Sequence, residues 1–227
     1  MPFKPQSTTT TSHPLAQQVR LCIDPLCQNT RADPTLSVVI HRYVRMLSLS
    51  PPDSAVDTER KLYQLVLGYS QSLPSVMEAF DQGCQQYQWH QVGENALFII
   101  AQYFQNDSTT STVKGLLSVQ DSVFFGHRLI EELHDHLMCH CGHPVLPWNM
   151  TKTNLLMHQF IGQSFAAQLE VTAMELTEKL MKQTPDDVTT DKPSHQEAPW
   201  PCFFEQYDLN VSAWPTSGSH AMFNPGR

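Results

Sequence analysis

The chain has 227 residues, of which 41% are hydrophobic and 16% are charged, and its formal net charge is −8. These proportions are typical of a folded globular protein and exclude a wholly disordered one. Because acidic residues are in excess and no run of Lys or Arg occurs, the chain lacks the positive surface that nucleic acids and acidic membranes attract. We therefore expect neither nucleic acid nor membrane among its partners.

The amino-terminal residues predict a cytoplasmic protein. Residues 1–14 are rich in Ser and Thr and lack the apolar stretch of a secretion signal, so we expect a disordered tail there. No apolar run approaches the roughly 18 residues that a membrane span needs. Six cysteines in a chain of this length do not make a disulfide framework, and a reducing compartment keeps them as thiols.

The first predicted elements are two short helices. The first begins at about Leu15 and is expected to end near Ile23, because Pro25 interrupts the apolar pattern. The second begins at Pro34 and has apolar residues at helical spacing. Its β-branched run at residues 38–40 leaves a strand as the alternative.

Helical patterns continue through the rest of the chain to residue 183. A helix that opens near Asp57 is expected to end at Pro74, and a second segment fades at Gly83. Another helix covers residues 94–104, and a long one runs from about 153 to 182.

No alternating strand pattern or internal repeat is visible, so the sequence predicts an all-α fold. We expect a single-domain bundle of about six or seven helices over residues 15–183, followed by an extended Pro-rich, aromatic-rich tail over residues 184–227. A tail with so many aromatic rings is expected to pack partly on the bundle or on a partner, and a homodimer through helices or tail is one such arrangement. The rings are those of Trp200, Phe203, Phe204, Tyr207 and Trp214.

Residues 123–143 hold five of the eleven histidines and two of the six cysteines. On a helix, the apolar residues of this segment form one arc that faces the core, and His127, Glu131 and His134 form a column beside it. Imidazole and carboxylate groups suit zinc, iron or manganese. The sequence therefore predicts a divalent metal site here, and Glu131 is alternatively a catalytic base. The arc consists of Val123, Leu129, Ile130, Leu133 and Leu137.

A fourth ligand is expected from the next helix, where His158 lies within the apolar arc. If the two helices are antiparallel, His158 is expected near the carboxyl end of the first, closer to Met138 and Cys141 than to His127. Two ligand sets then stay open: one draws on His134, Cys141 and His158, and the other on the column with an outside carboxylate. A di-iron centre is disfavoured, because the Glu131-x-x-His134 pair has no second copy in the chain.

The remaining histidines of the segment have a simpler explanation. Imidazolium groups at the end of a helix interact favourably with its dipole, and Gly142 is a typical residue just past such an end. A zinc knuckle formed by Cys139, Cys141 and His143 is disfavoured, since the cysteine spacing is short and no second half-site follows. The histidines at the helix end are His136, His140 and His143.

Two functions follow from these patterns. The first is a helical bundle that binds a metal ion or a small ligand through the His/Glu cluster on the helix 123–141. The second is a non-enzymatic interaction or regulatory protein whose histidines are structural. The sequence has no phosphate-binding glycine loop and no nucleophile elbow, and it leaves open whether the protein is an enzyme.

Overall fold

The computed structural model describes residues 13–28, 34–46, 52–110, 115–142 and 144–182. Within these ranges the chain forms seven α-helices, one short 3-10 helix and no β-strand, which confirms the predicted all-α bundle. The predictions for the two tails fall almost entirely outside the described residues, and the predicted domain boundaries stay predictions. The helices are α1 (Pro14–Gln28), α2 (Pro34–Met46), α3 (Pro52–Gln86), α4 (His90–Thr110), α5 (Gln120–Cys141), α6 (Thr151–Ile161) and α7 (Gln163–Lys182), with the 3-10 helix at Leu116–Val119.

Two prolines lie inside helices, so the predicted ends at Ile23 and Pro74 are wrong. Helix α1 continues past Pro25, and α3 continues past Pro74. In α3 the apolar stripe is unbroken on both sides of Pro74, with Leu73 and Met77 fully buried. Burial of this continuous stripe outweighs the loss of one backbone hydrogen bond.

Helix α2 confirms the helical interpretation over the strand alternative. Its buried side chains recur at helical spacing and include Leu36, Ile40 and Val44. The β-branched residue Val38 is exposed. It lowers the helix propensity of the segment slightly, but this effect is too small to prevent the helix.

The long helix predicted for residues 153–182 is wrong, because it breaks at Gly162. This glycine has φ of 113°, a backbone conformation that side-chain-bearing residues rarely adopt. His158 Nδ1 and Glu170 Oε1 then lie 3.1 Å apart. In one straight helix, twelve residues would separate these positions by about 18 Å. The chain therefore reverses at Gly162, and α7 returns alongside α6.

Helices α3 and α5 organise the bundle. Helix α3 contacts α1, α2, α4 and α5, and α5 contacts α3, α4, α6 and α7. A Cβ atom on Gly126 would lie 3.0 Å from the Leu73 side chain, so this glycine allows α5 to approach α3 closely. None of the helices in the described part is long and apolar enough to cross a bilayer. The cytoplasmic location stays a prediction.

The predicted orientation of α5 is confirmed. The five residues of its apolar arc are fully buried. Asp121 lies in the first turn, where a negative charge is favourable. At the other end Gly142 adopts the left-handed conformation, and its backbone N–H donates to the Met138 carbonyl over 2.8 Å. The apolar arc therefore faces the core, and the His/Glu column lies along its edge.

Candidate functional site

A cavity of about 130 Å³ lies between α5 and the connection that follows it. Its wall contains three residues of the predicted column, His127, Glu131 and His134. The other lining residues on which its chemistry depends are Asp135, Met138 and Trp148. The volume is similar to that of a roughly 150 Å³ protein cavity that holds one benzene molecule.

His127 is the most deeply buried polar residue of the wall, with 1% of its surface exposed. Its ring lies 4.1 Å from the Tyr69 ring, and its Nε2 is 3.0 Å from the Tyr69 carbonyl oxygen. A carbonyl only accepts, so Nε2 carries the proton, and Nδ1 of the neutral ring is an acceptor. Nδ1 has no hydrogen-bond partner among the described residues.

The protonation state of His127 is fixed by its surroundings. Burial lowers the pKa of this imidazole to about 4, although the hydrogen bond to Tyr69 opposes the change. At neutral pH the ring is therefore uncharged. His127, a residue of the cavity wall, thus carries a neutral nitrogen lone pair that no described group of the protein uses.

A backbone carbonyl of α3 holds His127 in place. The Tyr69 carbonyl accepts hydrogen bonds from Ser72 Oγ, at 2.8 Å, and from His127. This carbonyl therefore orients the histidine of the cavity wall.

Glu131 is held by donors on three sides. Arg128 donates to Oε2, Asn154 Nδ2 donates to Oε2 over 2.5 Å, and Thr151 Oγ1 donates to Oε1 over 2.7 Å. Asn154 in turn accepts from the buried Tyr69 hydroxyl over 2.6 Å. A catalytic base needs a free lone pair that faces its substrate, whereas these bonds stabilise a carboxylate that joins α5 to α6 and α3.

Arg128 extends these contacts into a network. Besides Glu131, it donates to Glu132, and its Nε lies 3.4 Å from Glu170 Oε1 on α7. One guanidinium therefore faces three carboxylates and joins α5 to α7. We call this group the Arg128 network; it comprises Arg128, Glu131, Glu132, Thr151, Asn154 and Glu170.

His134 lies between the cavity and the connection between α5 and α6. Its Nδ1 accepts from the Leu146 backbone N–H over 3.3 Å, so the neutral ring carries its proton on Nε2. Burial lowers the pKa of His134, and Glu131 opposes the change. The lone pair that a metal ion would need is used to hold the connection against α5.

The predicted position of His158 is wrong. It lies at the amino-terminal part of α5, where its ring is 6.3 Å from that of Phe124, and not near Met138. The reason is the path of the connection: Thr151 already contacts Glu131 when α6 begins, so α6 has passed the middle of α5 before it reaches His158. His158 contacts Glu170 and does not line the cavity.

Asp135 lies at the edge of the cavity, where it is exposed to solvent. It has no hydrogen bond or ion pair to any other described residue. Partial burial raises the pKa of its carboxyl group, and the negative charge of Glu131 raises it further. A positive charge in the cavity would offset both effects.

The metal prediction receives no support from this arrangement. Among the described residues, no three His, Cys, Asp or Glu side chains are grouped so that they could hold a metal ion. Glu131 and His134 use their lone pairs within the protein, and His158 is paired with Glu170. The Cys141 side chain and His143 lie outside the described part, so the ligand set that includes Cys141 stays a prediction.

Sequence reasoning missed several contributors to the site. Glu131 and Glu132 follow Arg128 at i+3 and i+4, the spacing of ion pairs on a helix. The sequence alone could therefore have predicted these two ion pairs. Trp148, Asn154 and Glu170 carry no such signal, because only the fold brings them to α5.

Comparison with protein-family models, curated proteins and solved structures finds no match to this chain. The fold itself therefore defines the class of protein, which is an all-α helical bundle. Its function has to be argued from its own residues.

Proposed function

We propose that the chain is a small-ligand-binding helical protein whose binding site is the cavity beside α5. The observation that carries the proposal is the buried Nδ1 of His127, an acceptor without a partner among the described residues. A buried polar atom without a partner is costly, and most such atoms in folded proteins find one. Because Nδ1 is closed to solvent, a ligand must shift part of the wall to donate to it, and such a bond would remove that cost.

The rest of the wall supports an organic ligand. Met138, Met150 and Trp148 supply apolar surface, while His127 and Asp135 supply the few polar groups that orient a ligand. The proposal does not extend to catalysis, since Glu131 is engaged by three donors.

A screen of small fragments, read by the methyl resonances of the methionines, tests this function. Met138 and Met150 line the cavity, and Met181, which packs against the core at the end of α7, serves as the control. We expect fragments that carry an O–H or N–H donor to move the first two methyl resonances and leave the third unchanged. If no fragment of up to about six non-hydrogen atoms moves them, the cavity has no binding function of this kind.

A second candidate is a non-enzymatic interaction or regulatory protein, and an exposed face of α7 favours it. Val171 and Met174 are 55% and 51% exposed, and with Ala167 they form a stripe at i, i+4 and i+7. Apolar side chains grouped in this way are typical of a contact surface. We name Ala167, Val171 and Met174 the α7 stripe.

The occupant that we propose for the α7 stripe is the chain's own segment 200–207, which contains four aromatic rings. It follows Lys182, the last residue of α7, by 18 residues, and this length spans up to about 60 Å. The segment can therefore reach any part of α7.

Truncation tests this second function. A chain that ends at Gln183 should bind more of a hydrophobic dye than the full chain, whereas one that ends at Ser217 keeps the aromatic segment and should not. If the chain ending at Gln183 instead dimerises, a second copy covers the stripe. Equal dye binding and the same oligomeric state for all three chains would contradict this function.

A further inference from the structure

Two arginines on α2 have no acidic partner in the described part of the chain. Arg42 and Arg45 are exposed, and no ion pair or hydrogen bond joins either of them to another described residue. Beside them His41 is already paired, since its Nδ1 lies 2.6 Å from Glu59 Oε1. These three basic side chains and Val38, which is 67% exposed, line a shallow groove. Because the chain has 22 acids and only 14 Lys and Arg, two neighbouring arginines without an acid indicate a surface for an acidic occupant.

The groove lies on the outer surface of α2. On a helix, Val38 and Arg42 point about 160° away from the buried Ile40, and Arg45 points about 140° away from it. These side chains are therefore directed away from the core of the bundle.

Helix α6 lies between α2 and α7. The Tyr43 hydroxyl of α2 donates to Gln159 Oε1 over 3.1 Å. One residue earlier, His158 pairs with Glu170 of α7. Successive residues of a helix point about 100° apart, so α2 and α7 contact different sides of α6. Leu155 is 61% exposed and points between these two sides, on the outer surface of α6.

The α7 stripe belongs to the same outer surface. Leu155 precedes His158 by about one turn of α6, and Met174 follows Glu170 by about one turn of α7. Because the two helices are antiparallel, both steps lead in the same direction, and Leu155 and Met174 lie at the same level. An exposed apolar surface therefore continues from the α7 stripe to Leu155 and is followed by the groove of α2.

The segment proposed for the α7 stripe matches this surface in order. Three of its aromatic residues come first, namely Trp200, Phe203 and Phe204. Its acids follow, at Glu205 and, one residue past the segment, at Asp208. Neighbouring helices pack roughly 9 Å apart, so about 18 Å separates α7 from α2 across α6. An extended stretch of eight residues spans about 26 Å, which is enough for this crossing.

The charge of the chain beyond α7 favours this segment over an outside acidic peptide. Residues 183–208 contain six acids and one Lys, so they carry a net charge of −5 out of the total of −8. A segment tied to the same chain binds at a high effective concentration, because no second molecule has to be captured. Arginine and carboxylate groups form charge-assisted hydrogen bonds, which are stronger than those between neutral groups.

From the unpaired arginines of α2 and the exposed leucine of α6, we propose that segment 200–208 crosses the bundle from the α7 stripe over α6 to α2. Its two acids then pair with Arg42 and Arg45. This inference rests on the second function proposed above and adds the path of the segment and the contact at its acidic end.

Disulfide trapping in the full chain tests this path. Cys202 lies between Trp200 and Glu205, so it is expected over α6. Under mild oxidation, Leu155→Cys should form an intrachain disulfide with Cys202, identified by mass spectrometry of the proteolytic peptides. Leu21→Cys is the matched control, because Leu21 is 66% exposed but lies on α1. It should react with Cys202 no more than the exposed native Cys139 does.

Charge reversal tests the contact with α2. In the Leu155→Cys chain, Arg42→Glu with Arg45→Glu should slow disulfide formation about fivefold, the effect expected for the loss of two exposed ion pairs. Glu205→Arg with Asp208→Arg should slow it equally. All four substitutions together exchange the charges and should restore the rate. A rate that neither pair changes, or that the combination does not restore, would contradict the pairing.

Three other results would overturn the proposal in distinct ways. If Met174→Cys reacts with Cys202 and Leu155→Cys does not, the segment stays on α7, so the crossing is wrong and the second function stands. If Leu155→Cys gives only disulfide-linked dimers, the segment comes from a second copy of the chain. If neither variant reacts more than Leu21→Cys, the segment covers neither helix, and the second function fails together with the crossing.

Discussion

Helix α5 carries two groups of ligand-type side chains, and they differ in how their hydrogen bonds are used. In the Arg128 network, the Glu131 carboxylate accepts from Arg128, Thr151 and Asn154. In the cavity wall, His127 Nδ1 has no partner among the described residues. The residue types alone do not separate a structural cluster from a binding site. The difference lies in whether the protein itself satisfies the polar atoms.

The largest expected effect comes from breaking the Arg128 network. Glu131→Ala removes the carboxylate that Arg128, Thr151 and Asn154 contact, and leaves buried donors without an acceptor. We expect the free energy of unfolding to fall by about 3 kcal/mol, as measured by urea denaturation. The exposed Glu175→Ala is the control and should change it by less than about 0.5 kcal/mol. A loss in Glu131→Ala no larger than in the control would mean that the network is not structural.

The sequence predicted much of α5 because its signals are local. The apolar arc, the cap at Gly142 and the edge position of His127 and Glu131 all follow from the helical repeat. The buried state of these polar side chains and the partners that they find could not be predicted. Asn154 and the Tyr69 carbonyl reach α5 only through tertiary packing.

Errors in the sequence reasoning have one common cause. The apolar pattern predicts one helix over residues 153–182, whereas Gly162 within it has a positive φ and reverses the chain. Pro74 predicts the end of a helix, whereas buried apolar contacts carry α3 past it. A glycine or a proline in a helical pattern can either lie inside a helix or end it. The residue alone does not decide between these two outcomes, because packing against the rest of the bundle does.

Lowering the pH should destabilise the protein through His127, which belongs to the cavity wall and not to the Arg128 network. His127 has a pKa of about 4 when folded, below its ordinary value of 6.5, so protonation favours the unfolded chain. Its contribution to stability is complete above pH 6.5 and is lost as the pH falls toward 4. His127→Gln keeps a donor for the Tyr69 carbonyl but does not titrate. Between pH 6.5 and 4 the unfolding free energy of this variant should therefore fall less than that of the wild type. The difference should reach up to about 3 kcal/mol.

Urea denaturation at a series of pH values measures this difference. The other ionisable groups are common to both proteins, so their contributions cancel in the comparison. Parallel curves for the wild type and His127→Gln would show that His127 is not buried in its neutral form.

A substitution at the Gly162 turn should have a moderate effect on the free energy of unfolding. Gly162→Ala places a side chain at φ of 113°, and no neighbouring atom lies within 4 Å of the added Cβ, so strain of the backbone is the main cost. We expect a loss of about 1–2 kcal/mol in the free energy of unfolding. Gly142→Asn is the matched control: its Cβ also meets open space, and at φ of 71° asparagine is tolerated. Equal losses in the two variants would contradict this account of the turn.

The smallest effect on stability is expected at Asp135. Because this carboxylate is exposed and has no partner in the described part, Asp135→Asn should change the free energy of unfolding by less than about 0.5 kcal/mol. A small gain in the free energy of unfolding is consistent with the raised pKa of the Asp135 carboxyl group, since Glu131 repels its charge. A loss above about 1 kcal/mol would place Asp135 in the structural network and not in the binding wall.

The central claim is that His127, a residue of the cavity wall, carries a neutral Nδ1 acceptor without a partner among the described residues. Nitrogen-15 NMR of the histidine side chains tests it most directly, because it reports which ring nitrogen carries the proton. We predict that His127 is the Nε2–H tautomer at pH 7 and remains uncharged at pH 5.5, above its pKa of about 4. A protonated Nδ1 at pH 7, whether in the other tautomer or in a charged ring, would contradict the claim.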